Sequence, residues 1–326
     1  MRTAVRRGLL ARRWRGHLVP WLLLASLALN VTALFVPFLD MRRGLSNSEY
    51  SLPKSVSLLW DSGLYVLAAI IVVFSVCFPF FKIGVLLSIV TGLISPRTRG
   101  VWLHLVERLG KWSMLDVFLV CLMIALANDQ WLVEANPRIG ILCFTFAIVL
   151  SMTASAWMTA ILDKPARLVP IPRRALARLT FVQVFLALLV VAVLLVPFLE
   201  IDDWLLVDRP ISLVGAVAGL WQTEARTLAV IVAVFLALAP LVSSALCLAI
   251  LRGRSKDRDV SRWRRALIVV RHWDMLDVFA LALGIFLVEG RSFVRTDLAW
   301  GAFFLALLLA LYWPASAVYQ RRIVHS

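Results

Sequence analysis

The sequence predicts an all-α, polytopic membrane protein with eight transmembrane helices arranged as two parallel four-helix repeats. Three observations carry that expectation. Of 326 residues, 62% are apolar and 16% charged, whereas a soluble globule is about half apolar and about a quarter charged. The apolar residues gather into runs of about 20, the length a helix needs to cross a bilayer. The second half of the chain also repeats the first at a nearly constant offset.

Runs of that length lie at 18–39, 64–90, 113–132, 138–161, 178–200, 226–251, 275–290 and 298–319. The third and seventh open on charged motifs. The seventh is only just long enough, so it is expected to begin a few residues earlier. Six Arg precede the first run, which is longer than a secretory apolar segment and lacks a small-residue cleavage pattern at its end, so it reads as an uncleaved signal anchor.

The net charge of +15 would suggest nucleic acid in a soluble protein, so its distribution decides its meaning. With both termini in the cytoplasm, 25 of the 34 Lys and Arg fall on cytoplasmic segments and 12 of the 19 acids on external ones. Every loop then obeys the positive-inside rule, and no nucleic-acid partner is needed to explain the charge. The four cysteines, Cys77, Cys121, Cys143 and Cys247, lie in apolar runs without CxxC spacing, which supports neither a disulfide framework nor a zinc ribbon.

Shifting the chain by 161 residues aligns Trp60 with Trp221, Pro79 with Pro240, Trp112 with Trp273, Gly140 with Gly301 and Ser155 with Ser316. WSMLDVF (Trp112 to Phe118) meets WDMLDVF (Trp273 to Phe279), and VPFLD (Val36 to Asp40) meets VPFLE (Val196 to Glu200) at an offset of 160. Shared membrane composition does not produce an ungapped register, so the chain reads as a duplication. The expected domains are a first repeat with a basic N-terminal segment over 1–162, a cytoplasmic linker over 163–177 and a second repeat over 178–326. Four spans per repeat, an even number, give both halves one orientation and exclude an inverted repeat.

GKWSMLDVF (Gly110 to Phe118), preceded by FPFFKIGVLL (Phe78 to Leu87), resembles the paraquat-inducible protein A family of bacterial inner-membrane proteins. The resemblance covers nearly the whole chain. It implies a four-span repeat and work alongside a periplasmic mammalian cell entry (MCE) domain protein, with phospholipid loaded or unloaded at the inner-membrane end of a tunnel. Larger members carry a four-cysteine zinc ribbon before each repeat. This chain does not, so neither zinc nor any other cofactor is expected.

An ionisable side chain within a span costs about 2.5 to 3.5 kcal/mol at the helix centre on insertion scales and normally faces a partner or a wet cavity. Lys82 is the one Lys or Arg inside a span, three residues after Pro79, which is expected to kink the helix. Ser113 and Asp116 share a helix face at i,i+3. Thr153 lies toward the cytoplasmic end of the fourth span. By depth, Lys82, Ser113, Asp116 and Thr153 are expected to form one polar cluster, either a proton- or headgroup-responsive site with a Lys82–Asp116 pair or a static ion pair that fixes packing. The resemblance implies that positions matching these four act in transport.

In the second half, Ser243 stands for Lys82, Asp274 for Ser113, His272 for Lys111 and Pro314 for Thr153. Asp274, Asp277 and His272 beside Arg271 form a secondary candidate, against a reading as boundary charges neutralised by Arg271. Asn30 and Gln183 are expected to hydrogen-bond between helices. No HExxH, GxSxG or intramembrane His–carboxylate set argues for an enzyme. The expected function is therefore an inner-membrane component of a lipid transport system, and the alternative is a membrane anchor or assembly factor that does not itself transport.

Overall fold

The computed structural model describes residues 15–43, 46–61, 63, 65–95, 97–127, 133–162, 172–203, 206–222, 225–256, 260–289 and 296–319. The N-terminal arginines to residue 14, most of the expected linker, Arg321 and Arg322 lie outside them. Two compact units divide the chain: Met1–Asp163 with Gln222–Leu228, and Lys164–Trp221 with Ala229–Ser326.

The first unit opens with α1 (Arg15–Phe35), a hairpin of β1 (Leu39–Arg43) and β2 (Ser46–Tyr50), and the short amphipathic α2 (Leu52–Asp61). A long helix comes next in three parts: α3 (Tyr65–Ile71), a π-helical segment (Val72–Cys77) and α4 (Phe78–Thr91). Then come α5 (Arg99–Gly110), a 3-10 turn (Lys111–Met114), α6 (Leu115–Ala127), β3 (Val133–Pro137) and α7 (Ile139–Leu162).

The second half of the chain presents corresponding elements in the same order. They are α8 (Arg173–Leu195), β4 (Leu199–Asp203), β5 (Leu206–Ile211) and α9 (Leu213–Gln222), then α10 (Arg226–Val232), a π-helical segment (Ala233–Leu238) and α11 (Ala239–Ser255). The last four are α12 (Ser261–Arg271), α13 (Leu276–Glu289), β6 (Thr296–Leu298) and α14 (Trp300–Tyr319).

Helices dominate, as the composition requires. Among the described residues, five are long and apolar enough to span a membrane: Leu18–Phe35, Ala68–Thr91, Ile139–Thr159, Arg173–Leu195 and Arg226–Ser255. The expected third and seventh spans contain the shorter α6 and α13, 13 and 14 residues long; at 1.5 Å per residue each covers about 20 Å, against ~30 Å of hydrocarbon. In the eighth, the uninterrupted apolar part is Trp300–Tyr312, which ends just ahead of Pro314.

Strands are absent from the expectation drawn from the sequence. Two antiparallel three-stranded sheets, ordered β2-β1-β3 and β5-β4-β6, form from segments that the hydropathy pattern assigns to external loops. Each brings the chain leaving the first helix of its unit beside the chain entering the last. Arg138, at the mouth of α7, pairs with Asp40 on β1 at 2.7 Å.

Both π-helical segments are explained by a proline. Pro79 and Pro240 sit at the start of the next α-helix, without an amide hydrogen and with a ring that crowds the carbonyl four residues back. The helix relieves this by opening to i→i+5 bonding: the Phe78 amide donates to the Val73 carbonyl, and the Ala239 amide to that of Val234. The expected kink is thus a widened turn at the same offset of 161 in both halves.

The first unit's core joins α1, α4, α5 and α7 through Val19, Leu23, Ile83, Leu86, Ile89, Leu103, Val106, Ala154 and Met158. Ser26 hydrogen-bonds from α1 to the Ala147 carbonyl on α7 at 2.7 Å, while Asn30 donates within its own helix to the Ser26 carbonyl. The interhelical link is therefore made by Ser26, not Asn30. A smaller cluster in the second unit gathers Leu176, Leu246, Cys247, Ile250, Leu251, Val260 and Leu267 from α8, α11 and α12.

Candidate functional site

Lys82 is buried on α4, with only 2% of its surface exposed. Its neighbours along α4, Ile83 and Leu86, belong to the apolar core. The charge that acts on it is Glu107 of α5. Its Nζ rests against Gly110, where an added Cβ would stand 3.0 Å away. Glu107, 12% exposed, accepts a hydrogen bond from the Thr159 hydroxyl of α7 and lies 3.7 Å from His104.

Asp116 sits in the first turn of α6, also buried, and its side-chain neighbour is Ser75 on the π-helical segment. Ser113 occupies the 3-10 turn immediately before α6 and is buried beside it in sequence. Among the described residues, Asp116 Oδ1 and Ser113 Oγ are buried without a hydrogen-bond partner, and Ser75 Oγ, beside Asp116, finds none at full hydrogen-bond geometry. Buried polar atoms are nearly always satisfied, so Asp116 and these two serines stand out from the apolar side chains of the interior. The 3-10 turn itself is held by Trp112, whose ring lies 6.3 Å from that of Phe74 on the π segment.

The four residues picked from the sequence are therefore not drawn into one cluster by direct bonds. Lys82 and Asp116 form no ion pair among the described residues; each has its own neighbour, Glu107 and Ser75. Counting residues inward from the membrane edge places both in one unit, but it does not set azimuth. The π turn adds about one residue between Ser75 and the helix beyond it, rotating the remainder of that helix by ~100°. Thr153 is half-buried and donates to the Val149 carbonyl of its own helix at 2.8 Å, so its hydroxyl hydrogen is spent locally.

Sequence reasoning misses Glu107, Ser75 and Thr159. A signal for the first exists: Glu107 is the sole acid among the basic residues between the second and third spans. Ser75 carries no comparable mark.

The second unit holds a different arrangement. Tyr312 of α14 donates from its hydroxyl toward Asp274 at 3.5 Å, and the Arg271 guanidinium lies over the Tyr312 ring at 5.9 Å. Asp277 Oδ1 accepts from the Val278 amide at 3.1 Å, stabilising the start of α13, and His272 Nδ1 lies 2.8 Å from the Ile268 carbonyl at the end of α12. The three secondary candidates are thus partly exposed groups at helix ends. Phe235 stacks on Trp273 at 5.5 Å with an interplanar angle of 13°, the counterpart of Phe74 and Trp112. Among the described residues no group of His, Cys, Asp or Glu is placed to hold a metal ion.

The family profile of paraquat-inducible protein A matches the chain twice, over residues 19–161 and 176–326. Intermembrane transport protein PqiA of Escherichia coli (strain K12) and that of Shigella flexneri are each 27% identical over 136 residues, 40% of this chain and 33% of the relative. Lipophilic envelope-spanning tunnel protein A of Escherichia coli (strain K12) is 27% identical over 141 residues, 42% of this chain and 33% of the relative. The matched segments span about a third of the length of these relatives. No solved structure matches the chain.

Proposed function

The chain belongs to the paraquat-inducible protein A family, and from that premise we propose that it is an inner-membrane component of a lipid transport system that moves phospholipid or similar amphiphiles between the inner membrane and a periplasmic MCE-domain tunnel. The names of its relatives, an intermembrane transport protein and an envelope-spanning tunnel protein, support transport as the class of activity. Eight spans in two parallel four-helix repeats, with both termini cytoplasmic, fit the charge distribution.

One observation carries the site. Among the described residues, Asp116, Ser75 and Ser113 place three polar atoms without a full hydrogen-bond partner in the interior of the first unit. Static packing disfavours such a set by about 1–3 kcal/mol per atom. A site that receives a headgroup or a proton during a transport cycle gives those atoms partners. The reading of an anchor without transport draws on no comparable observation.

The experiment is lipid transfer in envelopes carrying Asp116→Asn, Ser113→Ala or Lys82→Ala, with membrane insertion and partner binding measured beside it. Lost transfer with insertion and partner binding intact supports the transporter. Unchanged transfer in all three variants leaves an anchor.

A further inference from the structure

Lys82, Glu107 and Gly110 change together between the two halves of the chain. At the offset of 161, Ser243 stands for Lys82, Ile268 for Glu107 and Arg271 for Gly110. Where the lysine is present, an acid faces it and a residue without a side chain makes room for it. Where the lysine is a serine, the acid has become an isoleucine and the glycine a long side chain. Three substitutions at positions 25 and 3 residues apart in sequence are linked by one spatial fact: Glu107 and Gly110 are on the strip of α5 that faces Lys82.

The alternative is that Glu107 is a solvated acid on the outer face of an amphipathic helix. Its surroundings say otherwise. The side chain is 12% exposed, whereas His104, one turn earlier, is 74% exposed. Thr159 on α7 turns its hydroxyl onto the Glu107 carboxylate, so two helices besides its own converge there, α4 with the lysine and α7 with the threonine. A lysine buried in a helical unit without a counter-charge is strongly unfavourable, and removing one partner of a buried pair costs more than removing both.

We propose that Glu107 is a positioning residue of the transport site: it holds Lys82 in place as its counter-charge, with Thr159 orienting the carboxylate and Gly110 supplying the seat, and this unit exists in the first repeat alone. The functional part of the proposal rests on the transport reading given above; the pairing does not. In the second half, the corresponding positions hold Ser243, Ile268 and Arg271, which makes the two halves chemically unequal there.

The test uses the full chain in two measurements. Thermal unfolding in dodecyl maltoside micelles is compared for Glu107→Gln, Lys82→Ser and the double variant. The single Glu107→Gln substitution is expected to raise the unfolding equilibrium constant at least 10-fold, and Lys82→Ser on that background to recover most of it. Effects that multiply independently to within twofold overturn the pairing. The second measurement tracks transfer of a fluorescently labelled phosphatidylethanolamine out of proteoliposomes containing the protein and its periplasmic partner. Glu107→Asp is expected to retain transfer, and Glu107→Gln to lose at least 10-fold at equal protein density. Lysine–glutamate exchange (Lys82→Glu with Glu107→Lys) is expected to recover stability but not transfer. Transfer that survives Glu107→Gln overturns the positioning role. If the unsubstituted protein itself moves no lipid, the transport reading and the positioning role fall together, while the unfolding comparison still decides the pairing.

Discussion

The amide of Gly140 donates to the carbonyl of Pro37 at 3.0 Å, and 161 residues later the amide of Gly301 donates to Pro197 at 2.7 Å. These bonds fasten the start of the last helix of each unit to the chain leaving the first. The approach is close enough to forbid a side chain: a Cβ at either glycine would lie 2.5 Å from the proline carbonyl oxygen. The fixed backbone has no flexible end to move aside. Gly140→Ala and Gly301→Ala are therefore each expected to destabilise the protein at or above the upper end of the about 1–3 kcal/mol typical of overpacking. Thermal unfolding in detergent measures this, and a shift no larger than that of an exposed Gly84→Ala control would show that the backbone yields.

The aromatic pairs on the two π segments are unequal, and so should be their energies. Phe235 and Trp273 are stacked at 5.5 Å, but Phe74 and Trp112 are tilted at 6.3 Å. Aromatic pairs contribute about 0.5–1.5 kcal/mol beyond the area they bury. Phe235→Leu is expected to lower stability more than Phe74→Leu, a ranking that paired thermal shifts can check.

Arg138 and Asp40 join α7 to β1 across 98 residues of sequence, with the arginine about half exposed. Water and salt screen such a pair. Arg138→Gln is expected to cost no more than about 1 kcal/mol, and less as salt is raised from 50 to 500 mM, on the order of conditions in which surface attraction is screened. A larger, salt-insensitive loss would mean that the link is shielded from solvent.

In the second unit, Tyr312 serves Arg271 with its ring and Asp274 with its hydroxyl. At 3.5 Å the hydrogen bond is long and weak. Cation–π contacts contribute about 0.5–2 kcal/mol, depending on exposure. Tyr312→Phe is thus expected to be close to neutral and Tyr312→Leu to be destabilising. Equal losses in a chemical-unfolding comparison would shift the weight to the hydroxyl.

Much of the helical frame was legible because burial in lipid demands long apolar runs, and the recurrence at one offset was legible because the glycines, prolines and tryptophans that recur have steric duties. Gly140 and Gly301 recur because a carbonyl sits where their side chains would be. Pro79 and Pro240 recur at the widened turns, and Trp112 and Trp273 at their partners. The sheets were hidden: segments such as Asp40 to Tyr50 carry mixed polarity without strict alternation, and their pairing depends on β3, nearly 100 residues away. At the site, residue types and depth were readable, but partners were not. A helix wheel drawn through Ser75 and Lys82 assumes an unbroken α-helix, and the π segment breaks it between them.

The seat beneath Lys82 also sets which residues suit position 110. A Cβ at position 110 would press on the ammonium at 3.0 Å, and a longer side chain would occupy its place. Because the atom in the way is the end of a flexible side chain, an alanine there would push the ammonium a few tenths of an ångström from the place it now holds. In the second half the corresponding residue is Arg271, and the position that would carry the lysine is Ser243.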